Sequence, residues 1–274
     1  MAISGAHAEE PVPAAQIAAQ VAAEMKKGEA LWSKSCALRG AVDLCVQTRT
    51  RRDKTYCTGE YTQINVRRKA ALATRATKHF TRVIELAQSM PDRAPQAAAV
   101  RSQAMAANLR LAEYKMEAVL AVRVPTGLAF DAKNARTRKR AEERFARWRT
   151  ETQMSYVAAR DALSPLTVDE AARVDAGLAA LAAARLAQLN EHFASFLRRS
   201  WIPGDVRQGE WAEQNIKAYC STTEKTAALL DQQAQAAYAR CATLARDKQI
   251  ASELPRKCAD KAGAGAPSIR QPAN

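Results

Sequence analysis

The chain has 274 residues, with 42 Lys+Arg against 28 Asp+Glu, for a formal charge of +14; that length holds one large domain or two small ones and is ample for a hydrophobic core. Hydrophobic residues make up 47% and aromatics only 5%, because roughly sixty positions are alanine, the residue that loses no side-chain entropy on entering a helix. With only ten glycines and ten prolines the composition argues against a sandwich, a barrel or a glycine-rich nucleotide fold, and no apolar run reaches the ~20 residues that span a bilayer as a helix.

The chain opens Met1-Ala-Ile-Ser-Gly-Ala-His-Ala8, followed by Glu9-Glu10-Pro11. Ala6-His7-Ala8 has the small-x-small form after which a signal peptidase cuts, but the charged and apolar regions that precede such a site are missing. Residues 1–12 therefore read as a disordered leader: either the remnant of an export signal or alanines that carry no information. Helical periodicity runs from Pro13 to about Lys34, with Ile17, Val21, Met25 and Trp32 on one side. Between residues 38 and 69 the pattern changes. Val42, Leu44, Val46 and Thr48 alternate with their neighbours, residues Tyr61 to Val66 do the same, and the connection Asp53 to Gly59 makes the pair a small β-hairpin near 42–67. Two strands alone are marginal, so a disulfide or packing on helices must hold them.

Helical spacing resumes from Lys69 to Met90-Pro91, with Ala73, Phe80, Val83, Ile84 and Ala87 as its stripe. A second long helix starts at Asp92 or Arg93 and runs to about Val122, and Val124-Pro-Thr-Gly-Leu128 interrupts it as a tight connection. A third spans about Asn134 to Leu163, with Phe145, Trp148, Tyr156 and Ala159 as its core face, and Ser164-Pro165 stops it. Thr167-Val-Asp-Glu170 reads as a capping box that opens a helix through Val174, Leu178, Leu189, Phe193, Phe196 and Leu197, ending before Trp201-Ile-Pro-Gly204. Gln208 to Lys248 predicts a helix or a pair of helices, kinked around Ser221-Thr222-Thr223; Ser252 to Lys261 predicts a short one, and 263–274 a disordered tail. The sum is one all-α domain over 13–262. Its antiparallel helical hairpins form a tetratricopeptide-like array or an irregular bundle, with the β-hairpin as an insertion.

Six cysteines fall in two clusters, Cys36, Cys45 and Cys57 near the start and Cys220, Cys241 and Cys258 near the end. An even count suits three disulfides in an oxidising compartment. None forms CxxC and only three histidines exist, so the usual ligand spacing of a zinc site is lacking. There is also no P-loop, GxGxxG, HExxH or GxSxG motif. Glu142-Glu143 and Asp169-Glu170 read as surface pairs at i,i+3 or i,i+4, and His79 and His192, each beside a phenylalanine, as structural histidines. No catalytic, cofactor-binding or metal-binding residues are assigned.

Three stretches carry a resemblance. The first is Trp32-Ser-Lys-Ser-Cys36 with Gly40-Ala-Val-Asp-Leu-Cys-Val46 and the lone Cys57. The second is Leu120-Ala-Val-Arg-Val-Pro-Thr-Gly-Leu-Ala-Phe130 with Arg144-Phe145 and Trp148. The third is Tyr219-Cys220, Tyr238-Ala-Arg-Cys241 and Cys258. Over about residues 30 to 262 their order and spacing resemble the carboxy-terminal region of large envelope tetratricopeptide-repeat proteins of gliding myxobacteria and related deltaproteobacteria, some of them linked to gliding-motility machinery. The chain departs from that pattern in lacking the long preceding repeat array and in having Glu253-Leu254 where a tryptophan is expected. The resemblance implies an exported helical scaffold with disulfides, and it carries over no catalytic residue.

Basic residues are the strongest functional signal. Arg49, Arg51, Arg52 and Lys54 crowd the hairpin, with Arg67, Arg68 and Lys69 at its exit, and seven basic residues crowd 136–149. Arg136, Arg140, Arg144 and Arg147 share one helical face. The resulting expectation is a non-enzymatic, periplasmic protein-interaction module that presents this basic face to an acidic protein partner. Membrane-surface contact stays open and nucleic acid is disfavoured. Two rivals remain: a cytoplasmic nucleic-acid-binding helical protein and a cell-wall enzyme without a recognisable motif. For the disulfides, Cys241–Cys258 is expected to bridge the last two helices; Cys45–Cys57 across the hairpin and Cys36–Cys220 between the ends follow by elimination.

Overall fold

A computed structural model describes residues 12–36, 44–123, 125, 128, 130, 133–250 and 253–263. Both expected termini, the leader up to residue 11 and the tail from 264, lie outside these residues. So do the start of the expected first strand at Val42 and most of the connection 124–127. Among the described residues the fold is all-α with one two-stranded insertion. It comprises α1 (Ala14–Ser35), β1 (Val46–Arg52), β2 (Glu60–Val66), α2 (Ala70–Gln88), α3 (Ala97–Leu120), α4 (Ala135–Leu163), α5 (Asp169–Val174), α6 (Ala176–Arg198), α7 (Ala212–Asp247) and α8 (Leu254–Gly263).

Each long helix packs on its neighbour in sequence, and α1, α3 and α6 also pack side by side. The helices therefore form two layers: α1, α3 and α6 in one, α2, α4 and α7 in the other. The central helix α3 serves two hydrophobic clusters. Its Ala97, Val100 and Ala107 join Ile17, Val21, Trp32, Phe80 and Val83 of α1 and α2. Its Leu109, Met116 and Val119 join the cluster of α4, α6 and α7. A helix buried on two sides has no single apolar stripe, which is why α3 shows weaker periodicity than α2. Alanine explains the closest contacts: Ala179, Ala180, Ala183 and Ala187 of α6 and Ala227, Ala234 and Ala245 of α7 are all buried, and small side chains let the axes approach.

Several boundaries differ from the sequence expectation: α3 starts at Ala97 rather than at Asp92 or Arg93, and α7 at Ala212 rather than at Gln208. Thr167 is not a helix cap. It ends a 3-10 turn, Ser164–Thr167, where its Oγ1 donates to the Ser164 carbonyl, and the short α5 follows with Val168 at its cap position. The cap of the long helix is Asp175, whose Oδ1 accepts from Leu178 N at 3.0 Å while Oδ2 accepts from Ser102 at 2.7 Å. The expected kink at Ser221-Thr222-Thr223 is absent, because α7 runs unbroken for 36 residues. There Thr222 and Thr223 donate their hydroxyls back to the Ala218 and Cys220 carbonyls, so the helix keeps their polar groups satisfied.

The hairpin is antiparallel, with Val46 opposite Val66 and Arg52 opposite Glu60. Three disulfides are present: Cys36–Cys45, Cys57–Cys220 and Cys241–Cys258. The last is the expected bridge between the final two helices. The other two correct the expected Cys45–Cys57 and Cys36–Cys220 pairs, and the register gives the reason. Cys45 sits at the open end of the hairpin, where its carbonyl accepts from Arg67 N. Cys57 sits in the tip loop. The strand of 7 residues between them separates them by roughly 23 Å, far beyond the reach of a disulfide. Cys36 pairs in a β-bridge with Arg68 beside the open end, within reach of Cys45. At the tip, Cys57 N donates to the Ser200 carbonyl and Ile202 N to the Thr55 carbonyl. The tip is thus stitched to the α6–α7 connection next to Cys220.

Buried ion pairs complete the frame. The Arg68 guanidinium grips Glu117 with two bonds of 2.6 Å, donates to the Trp32 carbonyl and to Ser35, and stacks over the Trp32 ring at 3.6 Å. Both partners are almost fully buried, at 6% and 3%. This arginine belongs to the expected basic crowd at the hairpin exit, but it is structural. A second chain of charges, Glu29–Arg110–Glu113–Arg185, ties α1, α3 and α6 together.

Candidate functional site

A groove with a volume of about 660 Å³ lies between α4 and α7, floored by α6. Helices α4 and α7 both rest on α6 but stand apart from each other, and aromatic side chains fill the wedge between them. Phe193 stacks on Tyr156 at 4.3 Å and on Phe196 at 5.7 Å. Phe196 meets Trp148, which meets Phe145, and Phe145 meets Trp201 and Phe130. Tyr219 of α7 donates to the Trp201 carbonyl at 3.1 Å. Almost half of the chain's few aromatic residues thus line one groove. Phe145, Trp148 and Tyr156 are expected as the core face of α4, and of these only Tyr156, whose hydroxyl donates to buried Asn190 at 2.7 Å, is fully buried. The available signal was their concentration on α4 and α6 of an otherwise aromatic-poor chain.

The rim is cationic. Arg149, Arg160 and Arg199 line the groove together with Thr152, Thr222, Thr223, Thr226, Gln153 and Gln233, and no carboxylate lines it among the described residues. Arg160 bonds its neighbour Asp161, and Arg199 donates to Thr62. Arg149 meets no carboxylate within ion-pair distance among the described residues. The Trp148 Nε1 donor is buried without a partner among the described residues, and Leu229 projects from α7 with 60% of its surface exposed. Beyond Arg160 and Gln233 the cleft continues into a second hollow of about 360 Å³, lined by Ser164, Thr167, Asn190 and Arg240. From Phe145 to Ser164 it runs roughly 28 Å, at about 1.5 Å per helical residue.

Burial pushes the Tyr156 and Tyr219 hydroxyls above the usual phenol range, and among the described residues no His, Cys, Asp or Glu lines the groove. Among the described residues no three such groups gather in an arrangement that could hold a metal. His192 lies instead in a hollow of about 60 Å³ between β2, the end of α3 and α6. Burial, and secondarily the Arg199 charge, pushes it down to about 4. His79 pairs with Glu24 at 2.5 Å. The acidic neighbours are surface pairs: Glu143 with Lys139 at 4.0 Å, Glu170 with Arg173 at 3.9 Å, and Asp169 with Arg240.

The expected stripe, Arg136, Arg140, Arg144 and Arg147, is wholly exposed on the first half of α4. Helical-wheel arithmetic gathers the four within about 80° of one another. The groove-lining residues of the same helix, Arg149, Gln153, Tyr156 and Arg160, point roughly the opposite way. The stripe and the groove are therefore separate surfaces. Comparison with family models, with curated proteins and with solved structures returns no match.

The three disulfides indicate an oxidising compartment, hence an exported chain. No helix among the described residues is long and apolar enough to cross a membrane.

Proposed function

We propose that the protein is a non-enzymatic scaffold of the cell envelope, acting in the periplasm, whose α4–α7 groove receives an acidic segment of a protein partner. The observation that carries this reading is the groove's lining: seven aromatic side chains and three arginines, with no carboxylate among the described lining residues. Such a surface offers apolar anchor pockets together with positive charge that only Arg160 shares with a neighbouring carboxylate. A partner that brings apolar or aromatic side chains flanked by Asp or Glu satisfies both, because aromatic and arginine residues supply most hot-spot energy in protein interfaces. The length of the cleft suits a peptide segment better than a small metabolite. Among the described residues no His, thiol or carboxylate lines the groove to act as a general base at neutral pH, and this favours binding over the enzyme reading. The groove rings stack on one another rather than standing free, so single-stranded nucleic acid lacks open platforms.

The test is selection of ligands from a random-peptide library on the oxidised protein. Enrichment of acidic sequences with aromatic or leucine anchors is expected, with affinity lost in Leu229→Glu and weakened in Arg149→Ala. Peptides with no acidic bias, or binding indifferent to both substitutions, would refute the proposal.

A further inference from the structure

We infer that the outer face of α4 is a docking surface for anionic lipid headgroups, independent of the groove. The arginines that tie elements of the fold together, Arg68, Arg110, Arg185, Arg198 and Arg240, each close on a carboxylate. The first half of α4 carries a run of six that do not. Among the described residues none of Arg136, Arg138, Arg140, Arg144, Arg147 and Arg149 lies within ion-pair distance of a carboxylate, although Glu142 and Glu143 share the helix. Four of these six form the exposed stripe, which rises roughly 16 Å along a straight helix. A row of that kind on a convex helix matches a flat, laterally mobile array of phosphates.

Other polyanions fit less well. No aromatic residue on which bases could stack shares the face of the stripe, Phe145 and Trp148 being turned into the groove, and none of the hollows described above is lined by a stripe arginine. The three disulfides set the chain in an oxidising compartment, where the extended anionic surface it meets is the envelope membrane. Because the stripe and the groove point in opposite directions from α4, lipid docking leaves the cleft open to the aqueous phase. The binding is peripheral and salt-sensitive, since it rests on screened surface charge.

The experiment is co-sedimentation of the full oxidised chain with vesicles of phosphatidylcholine, with and without phosphatidylglycerol, at about 0.05 M and about 0.3 M salt. The wild type is expected to sediment with the anionic vesicles at low salt only. Arg140→Ala with Arg144→Ala should lose about 30-fold in partitioning, at about a factor of five per arginine, while circular dichroism stays unchanged. Arg75→Ala with Arg93→Ala removes the same charge from exposed sites on α2 and just before α3, and should stay within about twofold of wild type. Equal losses in the two double variants would reduce the effect to net charge and overturn the assignment. Failure of the wild type to bind anionic vesicles would overturn it as well, and so would tighter binding to duplex DNA than to the vesicles at matched salt.

Discussion

The cluster around α1–α3 and the groove between α4 and α7 are built from the same two ingredients, aromatic rings and arginine, with opposite results. Around α1, Trp32 and Phe80 are buried to 5% and 0% exposure, and Arg68 lies flat on the Trp32 ring with Glu117 gripping its other edge. In the groove, Trp148, Phe196 and Trp201 remain partly open, and Arg149 reaches out beside them with no carboxylate. The deciding residue is the acid. Where Glu117 or Glu113 is supplied from α3, the arginine becomes part of the frame. Where none is supplied, ring and guanidinium stay available to an acid from elsewhere.

The largest effect should come from unmaking the closed site. Arg68→Ala leaves Glu117 buried without its cation, with only the Cys45 amide still donating to it, and a broken buried pair costs about 3–5 kcal/mol; urea denaturation should show it, against a change of less than about 0.5 kcal/mol for the exposed Arg149→Ala. A comparable loss in the two variants would erase the distinction drawn here. Next comes pH, through His192 at the boundary between hairpin and groove. The unfolded residue takes up a proton near 6.5 and the native one only near 4. The unfolded chain therefore binds the extra proton between those values, and stability falls as pH drops through that window. The decline should approach about 3 kcal/mol by the lower end. It should flatten in His192→Gln, followed as the urea midpoint from neutral to acid pH.

Gly28→Ala probes the tightness of the closed cluster, because an added Cβ lies 2.6 Å from the Phe80 ring. Overpacking costs about 1–3 kcal/mol and the better helix propensity returns up to about 1 kcal/mol, so a net loss near 1 kcal/mol in thermal unfolding is expected. Smallest of all on stability is Leu229→Glu, an exposed position that should shift unfolding by less than about 0.5 kcal/mol while abolishing peptide capture. Loss of both together would make the groove a piece of core.

Much of this frame was legible in the sequence. The periodicity located α1, α2 and α4 closely, with Asn134 accepting from the Arg136 and Thr137 amides at the start of α4. Alternation located the hairpin. What escaped were features set by partners distant in sequence. Asp175 takes the cap from Thr167 because Ser102 of α3 fixes its other oxygen. Cys36 and Cys45 meet because Arg68 draws the open end of the hairpin onto α1 and α3. The groove aromatics looked like core because spacing reports which residues share a face, not whether a second helix covers that face. The arginine stripe was found by the same spacing argument. Its separation from the groove became visible only once α6 and α7 showed which side of α4 was occupied.

The Cys57–Cys220 bridge spans 163 residues of sequence, and its consequence is mechanical. A pull on the two ends of the described chain follows the shortest covalent route. It runs down α1, jumps from Cys36 to Cys45, follows β1 to Cys57, crosses to Cys220, continues along α7 to Cys241 and leaves through Cys258. Helices α2, α3, α4 and α6 lie entirely off that line, inside a covalent loop that tension does not stretch. Under load the oxidised molecule behaves as a short tether that carries slack, folded cargo at its side. After reduction the same force would run through every helix in turn.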